Sequence, residues 1–117
     1  MTKDSLALAI EALSWMAYTG IGERSALLKA SKQLGLNNLN DLRQAHGLIM
    51  ETTRFQNRLD WLILQSVPEE KTKQASHGIR SLLKIIAYTK YVDAKSAHQL
   101  ETTVGWARMI FGWRDLQ

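Results

Sequence analysis

Three arginines in the middle of this chain are spaced so that one helix could present them to a polyanion. Each residue of an α-helix advances by about 100°, so Arg43, Arg54 and Arg58 fall on one stripe if residues 40–67 are helical. The other members of that stripe are Gly47, Met50 and Trp61. Guanidinium groups pair with phosphates, and a tryptophan can stack on an unpaired base. The spacing therefore predicts an RNA-binding surface.

This stripe also has a structural interpretation. The arginines could simply solvate an outer helix face, and the sequence leaves both interpretations of them open. If the helix breaks near residue 54, its second half rotates, and Trp61 then packs in the core. For Trp61 we favour the core.

Other basic residues form less specific pairs. Lys29 and Lys32 share a face of one predicted helix and join the candidate RNA contacts. Arg80 and Lys84 are four residues apart at the start of another helix. Two roles for Arg80 are equally compatible with the sequence. It could contact RNA, or it could have a structural role in which it binds a carboxylate or exposed backbone carbonyls.

The residues that catalysis requires are scarce in this chain. It has no cysteine, which excludes disulfides, thiolate metal sites and cysteine nucleophiles. His46, His77 and His98 lack the i, i+4 pairing of a helical zinc site. There is no glycine-rich phosphate loop, and the carboxylates are scattered singly. We therefore predict that the chain alone is not an enzyme and holds neither a metal nor a cofactor.

The composition indicates one globular domain. Its 117 residues are 45% hydrophobic and 22% charged, as in ordinary single domains. A net charge of +4 is compatible with a polyanionic partner but does not require one. No apolar run approaches the roughly 18–20 residues that span a bilayer, and the N-terminus has no secretory pattern. We expect a cytoplasmic protein with no membrane partner.

The elements that must position the arginines are all predicted to be helices. No segment alternates apolar and polar residues over the length of a strand, and the chain has only one proline to interrupt a helix. The first helix is predicted over about residues 4–18, ended by Gly20. The second begins at Glu23, where the helix dipole favours an acid, and ends at Gly35. The predicted inward residues of these two helices are Leu6, Ile10, Leu13, Ala17, Leu27, Ala30 and Leu34.

The third predicted helix is the one that carries the arginines. Helical periodicity runs from Asn40 to about Val67, and the candidate N-caps are Asn37, Asn38 and Asn40. Its apolar side contains Leu42, Ala45, Ile49, Thr52, Leu59 and Ile63. Such a helix is long for a small domain, so we predict a bend or break near Thr53–Asn57.

The rest of the chain predicts a short helix, a buried helix and a final helix. Pro68 fits the start of the short one. The buried helix runs from about 76 to 92, and its segment 82–88 is apolar on almost every side, which predicts the centre of the bundle. Residues 96–99 have the form of a capping box, and Gly112 is predicted to end the final helix.

Three segments together resemble the NusB-like fold. Residues 43–63 contain Glu-Thr-x-Arg-x-x-Asn-x-Leu-Asp-x-Leu-Ile, which is similar to the third and fourth helices of that family. Residues 79–88, Ile-Arg-Ser-Leu-Leu-Lys-Ile-Ile-Ala-Tyr, resemble its central helix, and residues 97–113 resemble the next. The order and spacing of these segments imply an all-α bundle of about six or seven helices around the helix at 76–92.

Within that fold, the chain most resembles the N-terminal RNA-binding domain of archaeal-type Sun/Fmu ribosomal RNA cytosine-5 methyltransferases. The resemblance implies that residues 1–117 form one NusB-like domain. It would be either a shortened single-domain relative or a fragment that lacks the final helix and a downstream methyltransferase domain. That separate domain would supply the catalytic cysteine and bind S-adenosylmethionine, so only RNA recruitment carries over to this chain.

The function that the resemblance implies is a non-catalytic domain that helps the methyltransferase engage ribosomal RNA. Its partners would be RNA and either a covalently linked methyltransferase domain or a ribosomal protein. The alternatives are a protein–protein interaction module and a free-standing NusB-like transcription antitermination factor. Free-standing NusB proteins bind RNA through an arginine-rich first helix, where this chain has only Lys3. The expected contacts therefore shift to Arg43, Arg54 and Arg58.

Overall fold

The computed structural model describes residues 1–93 and 99–111, and these residues form an all-α bundle without a strand. The helices are α1 Lys3–Thr19, α2 Glu23–Leu34, α3 Leu39–Arg54, α4 Gln56–Ser66, α5 Glu69–Gln74, α6 His77–Ala87 and α7 Leu100–Phe111. A π-helical turn, Tyr88–Val92, continues α6. The predicted all-α class and the predicted number of helices are confirmed. The predicted cap at Ser96 and helix end at Gly112 lie outside the described residues.

Local sequence sets the ends of the first two helices. Thr2 caps α1: its hydroxyl accepts from the Ser5 N–H at 3.0 Å, and the Ser5 hydroxyl accepts from the Thr2 N–H at 2.8 Å. Gly20 and Gly35 end α1 and α2 with φ angles of 76° and 67°. Glycine has no Cβ to clash in this left-handed conformation, and both predicted helix ends are confirmed.

The predicted break in the long third helix occurs at Phe55. Asn38 caps α3, because its Oδ1 accepts from the N–H groups of Asn40 and Asp41 at 3.0 and 3.2 Å. Phe55 separates α3 from α4, with φ −100° and ψ 17°. The two helices then pack differently: α3 contacts α1 and α2 as well as α6, whereas the main partner of α4 is α6.

The centre of the bundle is shared by two helices, which corrects the expectation of one central helix at 76–92. Helix α6 has no exposed residue from Gly78 to Ala87, as predicted, and packs against α1, α3, α4 and α7. Helix α1 is equally enclosed, with no exposed residue from Ser5 to Met16. Small side chains allow helices to approach closely. The buried alanines of the main core are Ala9, Ala12, Ala26, Ala30, Ala45 and Ala107.

A second, smaller core holds α4 against α6. It contains Leu59 and Ile63 from α4 and Ala87 from the end of α6. Partly buried side chains pack around it, and they include Phe55, Leu62, Leu83 and Tyr88. This cluster fixes the position of α4 and of the π-helical turn relative to each other.

Three burial predictions are wrong. Ala17 and Leu34 lie in the last turns of α1 and α2 and are exposed. Trp61, for which we favoured the core, is 60% exposed. Leu59 and Ile63 take the inward positions of α4, and Trp61 lies two residues from each, on the opposite side of the helix.

Candidate nucleic-acid interface

All six members of the predicted stripe are exposed along α3 and α4. The opposite side of α3 faces the core, where Ala45, Ile49 and Thr52 are buried. The exposed residues are Arg43, Gly47, Met50 and Arg54 on α3, and Arg58 and Trp61 on α4. The sequence periodicity therefore identified the solvent-facing side of both helices.

The three arginines of this surface form no ion pair with the described residues of the chain. The two ion pairs within residues 1–93 and 99–111 join Lys73 to Glu69 at 3.3 Å and Lys84 to Asp60 at 4.0 Å. The guanidinium carbon of Arg54 lies 5.3 Å from the centroid of the Phe55 ring, a cation–π contact that leaves its N–H donors available. Three guanidinium groups can therefore accept an external anion.

An aromatic side chain accompanies the arginines on α4. Arg58 and Trp61 are three residues apart, so they are neighbours on one face of the helix. Leu64 is exposed one turn further on. A guanidinium beside an exposed indole offers both a phosphate contact and a stacking platform.

The two candidate lysines belong to another part of the bundle. The Lys29 Nζ lies 5.0 Å from the centroid of the Trp15 ring on α1. The Trp15 Nε1–H donates to Gln33 Oε1 at 2.9 Å, which fixes that ring between α1 and α2. Lys32 is exposed in the last turn of α2, where a cation stabilises the helix dipole. Lys29 thus packs on α1 and does not belong to the exposed stripe of α3 and α4.

Arg80 has one of the structural roles that the sequence allowed. Its Nε–H donates to the carbonyl of Thr72 at 3.0 Å, and its Nη2–H donates to that of Lys73 at 2.6 Å. These carbonyls belong to α5, which has no buried residue. Arg80 therefore fastens α5 to α6.

A groove with several polar lining residues adjoins the arginine surface between α3 and the π-helical turn. It has a volume of about 280 Å³. Its lining residues are Met1, Arg43, Gln44, Gly47, Leu48, Glu51, Tyr88, Thr89, Asp93 and Gln99. The Tyr88 hydroxyl donates to Glu51 Oε2 at 3.4 Å. Burial, and then the charges of Glu51 and Asp93, raise the pKa of Tyr88, so its phenol stays protonated at neutral pH.

The π-helical turn brings Tyr88, at its start, and Asp93, just after its end, to the same side. The Asp93 N–H donates to the Tyr88 carbonyl at 2.9 Å, which is the five-residue spacing of a π-helix. Tyr88 and Asp93 therefore lie one turn apart, facing α3. The sequence does not predict this groove, because Glu51 and Tyr88 are 37 positions apart and no local spacing relates them.

Two further features bear on possible ligands. Within the described ranges, 1–93 and 99–111, no group of three or more acidic or histidine side chains could hold a metal ion. None of the helices in that part of the chain has the length and apolar character needed to cross a membrane.

Comparisons of the chain with protein-family models, with curated proteins and with solved structures found no match.

Proposed function

We propose that this chain is a non-catalytic RNA-binding domain that uses the exposed side of α3 and α4. One observation carries the proposal: Arg43, Arg54 and Arg58 are exposed and have no ion pair within the described residues. Trp61 follows Arg58 on the same face of α4 and is exposed as well. Exposed arginines next to an exposed indole suit a partner that has both phosphates and accessible base faces.

Single-stranded or looped RNA fits this chemistry better than a duplex. Stacking on Trp61 requires a base whose face is open, and such bases occur in loops, bulges and ends. The guanidinium groups would bind the backbone on either side, and the net charge of +4 would favour encounter with a polyanion.

The NusB-like resemblance of residues 43–63 and 79–88 supports the same proposal. On that basis we propose a NusB-like domain whose biological role is to help a ribosomal RNA cytosine-5 methyltransferase engage its substrate. The all-α architecture is compatible with this role. The arginines of α3 and α4 would then replace the arginine-rich first helix that free-standing NusB proteins use.

The test is a charge reversal with a matched control. One variant combines Arg43→Glu, Arg54→Glu and Arg58→Glu; the control combines Arg24→Glu, Lys29→Glu and Lys32→Glu on α2. Both change the net charge equally, so a difference between them reports the surface and not the total charge. Binding to structured ribosomal RNA fragments is measured as a function of salt.

We expect the α3–α4 variant to lose most of its affinity. The slope of log K against log salt should fall by about 2, since each lost phosphate contact on single-stranded RNA removes roughly 0.7. The α2 variant should retain most of the affinity and slope. Equal losses in the two variants, or none in either, would overturn the proposed surface.

A protein-binding role is the second candidate, and one observation favours it. Leu28 and Leu39 are 64% and 60% exposed on α2 and α3. An apolar groove of about 280 Å³ between these helices is lined by Arg24, Leu27, Leu28, Ser31 and Leu42. Binding to a ribosomal protein or a methyltransferase domain that is insensitive to salt, together with no binding to RNA, would favour this role.

A further inference from the structure

The groove between α3 and the π-helical turn has a charge pattern that a phosphate-binding surface does not explain. Arg43 lines it, but so does Glu51, an acidic residue. Carboxylates repel phosphates, so a phosphate suits the Arg43 side of this groove but not the Glu51 side. The groove instead suits a ligand that offers hydrogen-bond donors and lies next to a phosphate.

We propose that this groove binds one unpaired guanine base, with the Glu51 carboxylate accepting hydrogen bonds from the base. The inference deepens the proposed function and depends on it, because the base would belong to the RNA held by Arg43, Arg54 and Arg58. It adds a base-specific contact to a surface whose other contacts are independent of sequence.

The chemistry of the base edges selects guanine. The Watson–Crick edge of guanine presents two adjacent donors, N1–H and the 2-amino group, which match the two oxygens of one carboxylate. Adenine and cytosine each place a ring-nitrogen acceptor beside their amino group, and uracil flanks its N3–H with two carbonyls. Each of those three bases can donate to at most one carboxylate oxygen, because the neighbouring atom of the edge is an acceptor that the second oxygen repels.

The Glu51 side chain keeps the required acceptor capacity. The Tyr88 hydroxyl donates to Oε2 only, and each carboxylate oxygen can accept more than one hydrogen bond. The Tyr88 ring lies 6.3 Å, between centroids, from that of Phe55 in the smaller core. Tyr88 thus contacts the Glu51 carboxylate from the smaller core and is a positioning residue for it.

Gly47 provides the space for a flat ligand. It lies within α3, where glycine is less favourable than alanine, yet a Cβ at this position would meet no atom within 4 Å. The fold therefore has no steric need for glycine here. The absent side chain leaves the α3 backbone open to a ligand at this position.

The size of the groove suits a single base. Pockets for drug-sized molecules are roughly 300–1,000 Å³, and this groove is slightly smaller, at about 280 Å³. Arg43 lines the same groove, so its guanidinium can bind the phosphate that flanks the base.

The test uses single-stranded uridine heptamers whose central residue is guanosine, inosine, adenosine or uridine. The full chain is titrated with each at moderate salt. We expect the guanosine heptamer to bind about 10- to 100-fold more tightly than the adenosine heptamer, the discrimination typical of a bidentate contact. Inosine lacks the 2-amino group and should fall between them.

Two variants connect this preference to the groove. Glu51→Gln keeps the side-chain shape but replaces one acceptor with a donor, and it should abolish the preference for guanosine without changing affinity for the uridine heptamer. Gly47→Met should have the same effect by filling the space. Glu70→Gln, an exposed position on α5, is the matched control and should keep the preference.

The outcomes separate this inference from the proposed function. Equal binding of all four heptamers, or a guanosine preference that survives Glu51→Gln, overturns the guanine site and leaves the RNA-binding surface intact. Failure to bind any heptamer or any ribosomal RNA fragment overturns both. If N-acetylarginine amide perturbs the Tyr88 signals in an NMR titration and guanosine monophosphate does not, the groove binds a basic protein side chain, and the guanine site is wrong.

Discussion

The Tyr88 hydroxyl donates a hydrogen bond to the Glu51 carboxylate over 3.4 Å and thereby joins the π-helical turn to α3. These two residues are 37 positions apart in the sequence. Their contact joins the π-helical turn, which continues the apolar α6, to the arginine-bearing α3. It therefore connects the packing of the bundle to the surface proposed to bind RNA.

The first prediction concerns the alkaline stability of the fold. Burial and the charge of Glu51 raise the pKa of Tyr88 above its ordinary value of 10.0. The unfolded chain therefore loses this proton first, so the stabilisation is present at neutral pH and is lost as pH rises from about 10 through the raised pKa. The free energy of unfolding, measured by urea denaturation, should fall over that range by less in Tyr88→Phe than in the wild type. An identical decline in both would contradict the raised pKa.

The second prediction concerns Trp61, which is exposed on α4. Trp61→Ala should change the free energy of unfolding by no more than about 0.5 kcal/mol, as for other surface substitutions. It should weaken binding to single-stranded RNA by about 1–3 kcal/mol through lost stacking. Trp106→Ala is the contrasting variant, because Trp106 packs against the main core and its loss should destabilise the fold. Strong destabilisation by Trp61→Ala would show that the indole is buried in solution.

The third prediction concerns the attachment of α5. Arg80→Met removes both hydrogen bonds to the carbonyls of Thr72 and Lys73 and should lower the free energy of unfolding by about 1–2 kcal/mol. Arg58→Met, at an exposed arginine with no ion pair in the described chain, is the control and should stay within about 0.5 kcal/mol. Thermal and urea denaturation measure both. Similar stabilities for the two variants would mean that Arg80 does not fasten α5.

The fourth prediction concerns two glycines whose substitution by alanine should change the stability of the fold in opposite directions. Gly47→Ala should stabilise the fold by about 0.5–1 kcal/mol, because α3 has room for the methyl group and alanine favours the helix. Gly35→Ala should destabilise it, because Gly35 has a φ of 67° that an L-residue adopts with strain. If the two substitutions change stability in the same direction, one of these backbone assignments is wrong.

Local signals in the sequence predicted most of the helices and their ends. Gly20 and Gly35 end helices in the structure, Asn38 is one of the three candidate caps, and the break falls at Phe55. The capping box of α1 was missed because its usual signature has Glu or Gln three residues after the cap, whereas Ser5 occupies that position here.

The position of Trp61 shows why a predicted break did not settle which residues face the core. A break was expected to rotate α4 and bury the tryptophan. Phe55 interrupts the helix for one residue only, and its N–H still bonds Glu51 while its carbonyl accepts from Leu59. The exposed side of α3 therefore continues onto α4. Which side a helix presents after a break depends on these few backbone bonds, which the sequence pattern does not specify.

The proposed groove could not be predicted for a different reason. Its parts come from α3 and from the π-helical turn, and the alignment of Tyr88 with Asp93 depends on a five-residue hydrogen bond. Helical periodicity assumes the four-residue bond of an α-helix. The sequence therefore indicated which residue types the chain contains but not that these residues lie close together in the structure.

The division of the interior into two clusters has a dynamic consequence. The main cluster joins α1, α2 and α3 to α6 and α7, whereas three buried residues hold α4 against the end of α6. Regions with few buried contacts open locally at lower free energy than the core. Amide hydrogens of α4 should therefore exchange with solvent before those of α1. Because a ligand stabilises the state that it binds, RNA held by Arg58 and Trp61 should slow exchange selectively in that helix.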